Sequence, residues 1–322
     1  MRALIVLVVA FVAIVTGIGF GPVHLAPGEV IRALFRGGDD TTSVIVRQLR
    51  APRALLAFAV GGSLSVTGAV LQVLVRNPLA DSYLMGLSGG AGLGAVLAIA
   101  FGLGGAWGVP IAAFVGALIA VALVYQLAVV AGATLDARVL ILAGVVVSSF
   151  ASALVGAVVA LSPATELRNA VLWLLGGFGA ASWQAFLLFS LYSAVPLLFL
   201  FGAARYLDLL SLGDEPAGFL GVNVLMFKRL LYVVASLLTA AAVAVSGIVG
   251  FVGLVVPHAT RLIWGHQHRL LLPMAFLVGG TLLTLADAAA RTLFAPRELP
   301  VGVVTALIGV PVFAFLLRRM GT

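Results

Sequence analysis

Ten apolar runs dominate the chain, near residues 3–20, 54–75, 84–103, 107–131, 139–161, 183–203, 230–249, 251–264, 270–290 and 299–317. Each is near or somewhat below the roughly 20 residues that an α-helix needs to cross a bilayer. The pattern predicts an all-α, polytopic membrane protein of about ten transmembrane helices. The first run follows Arg2 and is about 18 residues long, more than the roughly 7–15 residues usual for the apolar part of a signal peptide. A cut after Ala26 would also put His24 where a small residue is needed, so a first spanning helix is the favoured reading. Between the seventh and eighth runs Gly247, Gly250, Gly253 and Pro257 interrupt the sequence, which predicts a broken or short helix. Non-helical backbone at membrane depth is tolerated only inside protein or beside a water-filled path.

Two polar segments break the apolar pattern. Residues 21–53 carry Pro, Gly, Asp and the arginines Arg32, Arg36, Arg47, Arg50 and Arg53, and form an extramembrane segment. Residues 205–229 place Asp208, Asp214 and Glu215 between Arg205 and Lys228-Arg229, with Pro216, Gly218 and Gly221 in the middle. That composition reads as turn and short helix in water, where another molecule can touch it. With Arg2 inside and ten spans, ten of the eighteen basic residues fall on the inner side. The outer side collects eight, five of them in 21–53, and setting that segment aside leaves ten against three. The asymmetry places both termini and the 205–229 segment in the cytoplasm.

A weak internal repeat appears at an offset of 179, where Val66-Thr67-Gly68, Val70, Val73, Pro78 and Ala80 align with Val245-Ser246-Gly247, Val249, Val252, Pro257 and Ala259. The two copies start on the second and seventh spans, so the repeat would be inverted, as in many transporters. The 38 glycines, including Gly86, Gly90 and Gly94, are read as close-packing positions between helices in lipid.

Composition removes several function classes. The formal charge of +7 reports positive-inside topology, and no nucleic-acid partner is expected. The chain has no cysteine, which excludes disulfides and Cys-based metal sites. Lys228 is the only lysine, and Phe227 precedes it, so there is no phosphate-binding P-loop. ATP-driven transport would need its nucleotide site on another subunit. No HExxH spacing or Ser/His/Asp set stands out, and no metal site or catalytic residue is expected. His266 and His268 fall in a hydrophilic turn beside Arg269 and are read as facing water, while His258 is read as a cap or packing residue. Within the apolar runs the one carboxylate is Asp287, four residues before Arg291, either a structural ion pair or a relay. An ion-coupled secondary carrier would place several ionisable groups along its path, which this chain does not supply.

Four ordered motifs resemble the FecCD family, the permease subunits of type II ABC importers that move iron(III)-siderophores, haem and vitamin B12. They are Arg50-Ala51-Pro52-Arg53 with Arg76-Asn77-Pro78-Leu79-Ala80-Asp81 and Gly86-Leu87-Ser88-Gly89-Gly90-Ala91; Leu212-Gly213-Asp214-Glu215 with Leu220-Gly221-Val222-Asn223; Gly250 to His258; and Ala286-Asp287 with Glu298 to Ala306 and Gly309 to Phe313. The resemblance covers about residues 45–320 and implies a single permease domain over 1–322. It further implies a homodimer, two ATP-binding cassette subunits carrying ATP and Mg, an extracytoplasmic binding protein, and a multi-pass place in a bacterial or archaeal cytoplasmic membrane.

Roles follow from the resemblance by position. Leu212, Gly213, Asp214, Glu215, Leu220, Gly221, Val222 and Asn223 would couple to the ATPase. Arg50, Arg53 and Arg291 would dock the binding protein, with membrane-interface anchoring as the other reading of Arg50 and Arg53. Ser148, Ser149 and Ser152 would line the path between two copies of the fifth span, and Ser88, Gly89 and Gly90 would form part of the inner gate. Gly89 stands where related permeases often carry Asn. Residues 166–178 would be a short outer helix at the mouth. The implied cargo is an iron chelate or haem, with a corrinoid or an ion-coupled carrier as alternatives.

Overall fold

The computed structural model describes residues 2–36, 40–83, 85–103, 106–131 and 136–320. Among these, every regular element is helical. Helix α1 spans Arg2–Gly19. Helix α2, Pro27–Arg36, starts with proline, whose missing N–H costs nothing in a first turn, and Glu29 accepts from the Ala26 N–H at 3.0 Å. Helix α3, Thr41–Val44, is capped by Asp40, which accepts from the Ser43 N–H and hydroxyl. The Ser43 hydroxyl bond holds the Asp40 carboxyl below its usual range. A π-helical turn, Ile45–Arg50, then leads without a break into α4, Ala51–Leu74. Pro52 cannot donate to the preceding turn, and the Ala51 N–H reaches back five residues to the Val46 carbonyl.

The rest of the chain forms α5 (Leu87–Ala100), α6 (Gly108–Val130), α7 (Ala137–Leu161), α8 (Ala164–Leu174) and α9 (Trp183–Gly202). The short α10 (Ala204–Ser211) and α11 (Asp214–Phe219) precede α12 (Val224–Ser246), α13 (Val252–Trp264), α14 (His268–Thr292) and α15 (Val301–Met320). Each of the ten apolar runs thus contains one helix. Among the described residues six helical segments are long and apolar enough to cross a membrane, and α1, α5 and α15 hold shorter apolar stretches. Helix α13 has 13 residues and α5 has 14, about 20 Å each against a hydrocarbon core of about 30 Å. The break expected before α13 is the partly buried loop 247–251. The shortness of α5 was not expected: Gly86, at φ +78°, ends the loop that precedes it, and Phe251, at φ +69°, does the same for α13.

Each of these left-handed residues thus starts a short helix. Helices α4 to α7 have 24, 14, 23 and 25 residues, and α12 to α15 have 23, 13, 25 and 20. The fixed offset of 179 does not describe this order, because it pairs Gly68 inside α4 with Gly247, the left-handed residue that ends α12. The first residues of α4 and α12, Ala51 and Val224, differ by 173, and those of α5 and α13, Leu87 and Val252, by 165. Loops of unequal length separate the helices, so no single shift aligns them.

Helix α4 is the centre, with 83% of its spanning window buried, against 28% for α6 and α7 and 22% for α9. It packs most closely on α14. A Cβ on Gly61 would lie 2.3 Å from the Gly279 carbonyl oxygen, and one on Gly279 would lie 1.8 Å from Ser65 Oγ. A Cβ on Gly68 would lie 1.9 Å from the Gly253 carbonyl oxygen in α13. Lipid removes the hydrophobic drive between helices, so this contact of backbone on backbone is what holds them together.

Candidate functional site

Helix α14 connects two charged ends of the bundle. At its start, Asp208 of α10 accepts from the His268 N–H at 2.9 Å and pairs with His268 Nδ1 at 2.7 Å. His268 is therefore buried at a helix start instead of facing water as expected. Near its other end lies Arg291, some 23 residues on, or about 35 Å along the axis.

At the first end, Leu207 and Leu210 of α10 point into the core, and Tyr206 stacks on Phe227 of α12 with ring centres 3.9 Å apart. Gly213 turns the chain into α11 at φ +122° and ψ 163°, a conformation open essentially to glycine alone. Asp214 opens α11, and its carboxylate meets Arg76 Nη2 and Lys228 Nζ at 2.7 Å each. One side chain thereby ties α11 to the loop after α4 and to the first turn of α12. The Asn223 side chain caps α12 by accepting from the Met226 N–H at 3.1 Å, and Val222 is buried beneath it. Glu215, Gly221, Leu212 and Leu220 are exposed, as is Phe219 at 86%. The eight residues expected to couple thus divide: Asp214, Val222, Gly213 and Asn223 shape the segment, and Leu212, Glu215, Leu220 and Gly221 form its surface. Phe219, absent from the sequence-based set, is the one large apolar side chain that α11 exposes. Its apolar character next to Leu220 in a polar segment was the available signal.

At the other end, Arg50, Arg53 and Arg291 come together around a cavity of about 230 Å³ that Glu298 also lines. Asp287, fully buried, pairs with Arg53 Nη2 at 2.9 Å and with Arg291 Nε at 3.0 Å. Arg53 continues to Glu298 at 3.0 Å. Arg50 donates to the carbonyls of Gly19 at 2.7 Å and of Val23, and Arg291 donates to the carbonyl of Gly17 at 2.9 Å. The Asp287–Arg291 pair is structural, because both partners are enclosed and Arg53 closes the other side. Arg50 and Arg291 are 4% and 2% exposed, so only Arg53 and the exposed Glu298 present charge at the surface of this cluster. The links from Arg53 to Asp287 and Glu298 cross more than 230 residues, a distance at which no local spacing could reveal them.

The third group lies on α7. Ser149 and Ser152 are exposed on a face that no neighbouring helix of this chain covers. Ser148 is half-buried against α5: a Cβ on Gly89 would lie 2.9 Å from Ser148 Cα. Gly90 and Gly94 do the same against α6, where added Cβ atoms would lie 2.4 Å from the Gly116 carbonyl and 2.1 Å from that of Ala112. Ser88, Gly89 and Gly90 thus open a short helix wedged between α6 and α7. An apolar groove of about 440 Å³ follows the α5–α6–α7 face past Leu97, Ile119 and Phe150.

Loop 247–251 is held from both sides. The Tyr83 hydroxyl accepts from the Val249 N–H at 3.1 Å, and the Ser246 carbonyl accepts from the Gly177 N–H at 2.7 Å. The expected short helix over 166–178 is α8, which ends at Leu174; beyond it the Gly176 carbonyl accepts from the Val301 N–H at 2.9 Å. Helices α8, α12 and α15 therefore meet at one point, next to the loop that starts α13. Among the described residues no cluster of His, Asp and Glu is arranged to hold a metal ion.

A bundle with two short half-length helices, an exposed polar-segment hairpin at one end and an arginine cluster at the other defines a multi-pass membrane permease. The chain belongs to the FecCD transport family, whose model matches residues 6–319. It is 45% identical over 287 residues to the cobalamin import system permease protein BtuC of Halobacterium salinarum, covering 88% of this chain and 75% of that one. It is 43% identical over 286 residues to the hemin transport system permease protein HmuU of Yersinia pestis, covering 87% and 85%. Among solved structures, a metal-chelate type ABC transporter in an inward-facing conformation superposes with a TM-score of 0.87 at 32% identity, covering 98% and 97%. The protein is thus the membrane-spanning permease subunit of an ABC importer.

Proposed function

We propose that this permease carries an iron chelate, haem or a corrinoid from a binding protein on the arginine side to the cytoplasm, driven by ATP hydrolysis on a separate subunit. The observation that carries the reading is the α10–α12 hairpin. It exposes Leu212, Glu215, Phe219 and Leu220 for a partner, while Asp214 clamps it to Arg76 after α4 and to Lys228 of α12. A push on α11 is transmitted through that carboxylate to the two central helices. The α10–α11 end is cytoplasmic in this reading, as are both termini, and ATP and Mg sit on the partner subunit. Two copies of the chain pair across the uncovered α7 faces, so that Ser149 and Ser152 line a weakly polar path and Ser88 to Gly90 sit at its inner gate.

Docking of the binding protein falls to Arg53, with Arg50 and Arg291 enclosed behind it as the frame that fixes its position. A carboxylate of the binding protein would compete with Glu298 for Arg53 Nη1. Rim pairs of this kind set register and association rate more than affinity. An ion-coupled carrier finds no support, because the one carboxylate within the spans, Asp287, is locked between two arginines. Reconstitution with the ATPase and binding protein tests the reading. Replacing Glu215 and Phe219 by lysine and alanine should abolish ATP-dependent uptake while binding-protein affinity stays unchanged; uptake equal to wild type removes the coupling assignment.

A further inference from the structure

Beside the hairpin lies a cavity of about 440 Å³, at the junction of α4, α13, α14 and the α10–α11 turn. Its lining carries Arg76, Arg261, His258, His266 and His268, and no carboxylate. The acids nearest to it are already committed, Asp214 to Arg76 and Lys228, and Asp208 to His268. Arg261 has a neutral partner, the Gln72 side-chain oxygen. Gln72 is itself fixed, donating to the carbonyls of Ala80 and Leu254 at 3.2 and 3.3 Å. His268 is 3% exposed, and with Nδ1 spent on Asp208 its Nε2 is buried without a hydrogen-bond partner. A floor of this kind, with cationic donors and no carboxylate in its lining, suits an anionic acceptor that is not part of the chain.

The rim of the same cavity is apolar. Leu212 and Leu262 line it and are 63% and 67% exposed. Leu262 belongs to the last turn of α13, where Ile263 is also exposed, so the mouth carries an apolar edge. We propose that this cavity is a binding site for a phosphate group, and that its apolar rim selects the headgroup phosphate of an anionic phospholipid. Basic pockets between spanning helices are suited to such headgroups. The phosphate oxygens accept from Arg261 and from the ring N–H groups of His258 and His266, and an acyl chain lies over Leu262. Only the choice of leaflet rests on the orientation given above. Binding itself needs neither the ATPase nor the binding protein, so it is testable when the coupling assignment fails.

The experiment uses the purified full-length permease in nanodiscs of phosphatidylcholine with or without phosphatidylglycerol, read by native mass spectrometry and thermal unfolding. Wild type should retain phosphatidylglycerol over phosphatidylcholine by about tenfold and unfold at higher temperature in its presence. Arg261→Gln should remove that preference, and Arg261→Lys should keep most of it. Because Arg261 also holds Gln72, His258→Gln combined with His266→Gln provides a second variant that leaves that bond intact and should weaken retention by several-fold. Loss of bound lipid on adding inorganic phosphate, but not chloride at equal ionic strength, supports the phosphate pocket and admits a soluble source. Equal retention of the two lipids by wild type, or an unchanged preference in both variants, overturns the proposal.

Discussion

The two ends of the bundle are built on the same unit, a single carboxylate between two cations, in opposite environments. Asp287 lies between Arg53 and Arg291 with no exposed surface, whereas Asp214 lies between Arg76 and Lys228 with its side chain 47% exposed. Burial makes the first unit a fixed joint: neither arginine can leave without stranding a charge in a low-dielectric interior. Water reaches Arg76 and Asp214 of the second unit, though not Lys228, and makes their pair adjustable, because exposed pairs are weak, screened by salt and replaceable by solvent. The contrast fits the proposed roles of the two ends, a rigid rim for the binding protein and a movable segment for the mechanical input.

The comparison is broken most severely by Asp287→Ala. The enclosed Arg291 then loses its only carboxylate and Arg53 keeps only Glu298; the loss of stability should be about 3–5 kcal/mol, seen as a large fall in unfolding temperature that added salt does not reproduce. Next comes Gly279→Val in the contact of α4 with α14, where the new side chain meets Ser65 and the Gly61 carbonyl. Overpacking of this kind costs about 1–3 kcal/mol, and Gly279→Ala should lie at the lower end of that range. Asp214→Asn should cost no more than about 1 kcal/mol and yet abolish ATP-dependent uptake. A stability loss as large as that of Asp287→Ala would erase the distinction between the two ends. The smallest effect on stability belongs to Glu298→Gln, which frees Arg53 Nη1 and should speed association with the binding protein in a salt-sensitive way. An unchanged association rate removes the competition between Glu298 and a partner carboxylate.

Much of this architecture is legible in the sequence because lipid imposes a simple rule: every spanning helix must be an apolar run. The break before α13 could be read from Gly247, Gly250 and Gly253. The equivalent break before α5 could not, since Leu84 to Ala100 is apolar but for Ser88 and Gly86 looks like one more packing glycine. The packing role of Gly90 and Gly94 was legible, as was the polar hairpin. What the hairpin charges do was not: Asp214 reaches Arg76, which is 138 residues earlier in the chain, and only the fold brings them together. The same holds for the arginines, where composition marks a charged rim but not that Arg50 and Arg291 are enclosed. Partners of opposite charge attract at any sequence separation, and nothing in local spacing says which pair will meet.

The most direct test of the account is uptake by proteoliposomes holding the permease with its ATPase subunit and binding protein, for wild type and for Asp214→Lys. Wild type should accumulate the chelate only when ATP is hydrolysed, and Asp214→Lys should hydrolyse ATP without uptake while still binding the loaded binding protein. Accumulation by the permease alone under a proton or sodium gradient, or full uptake by Asp214→Lys, would contradict it.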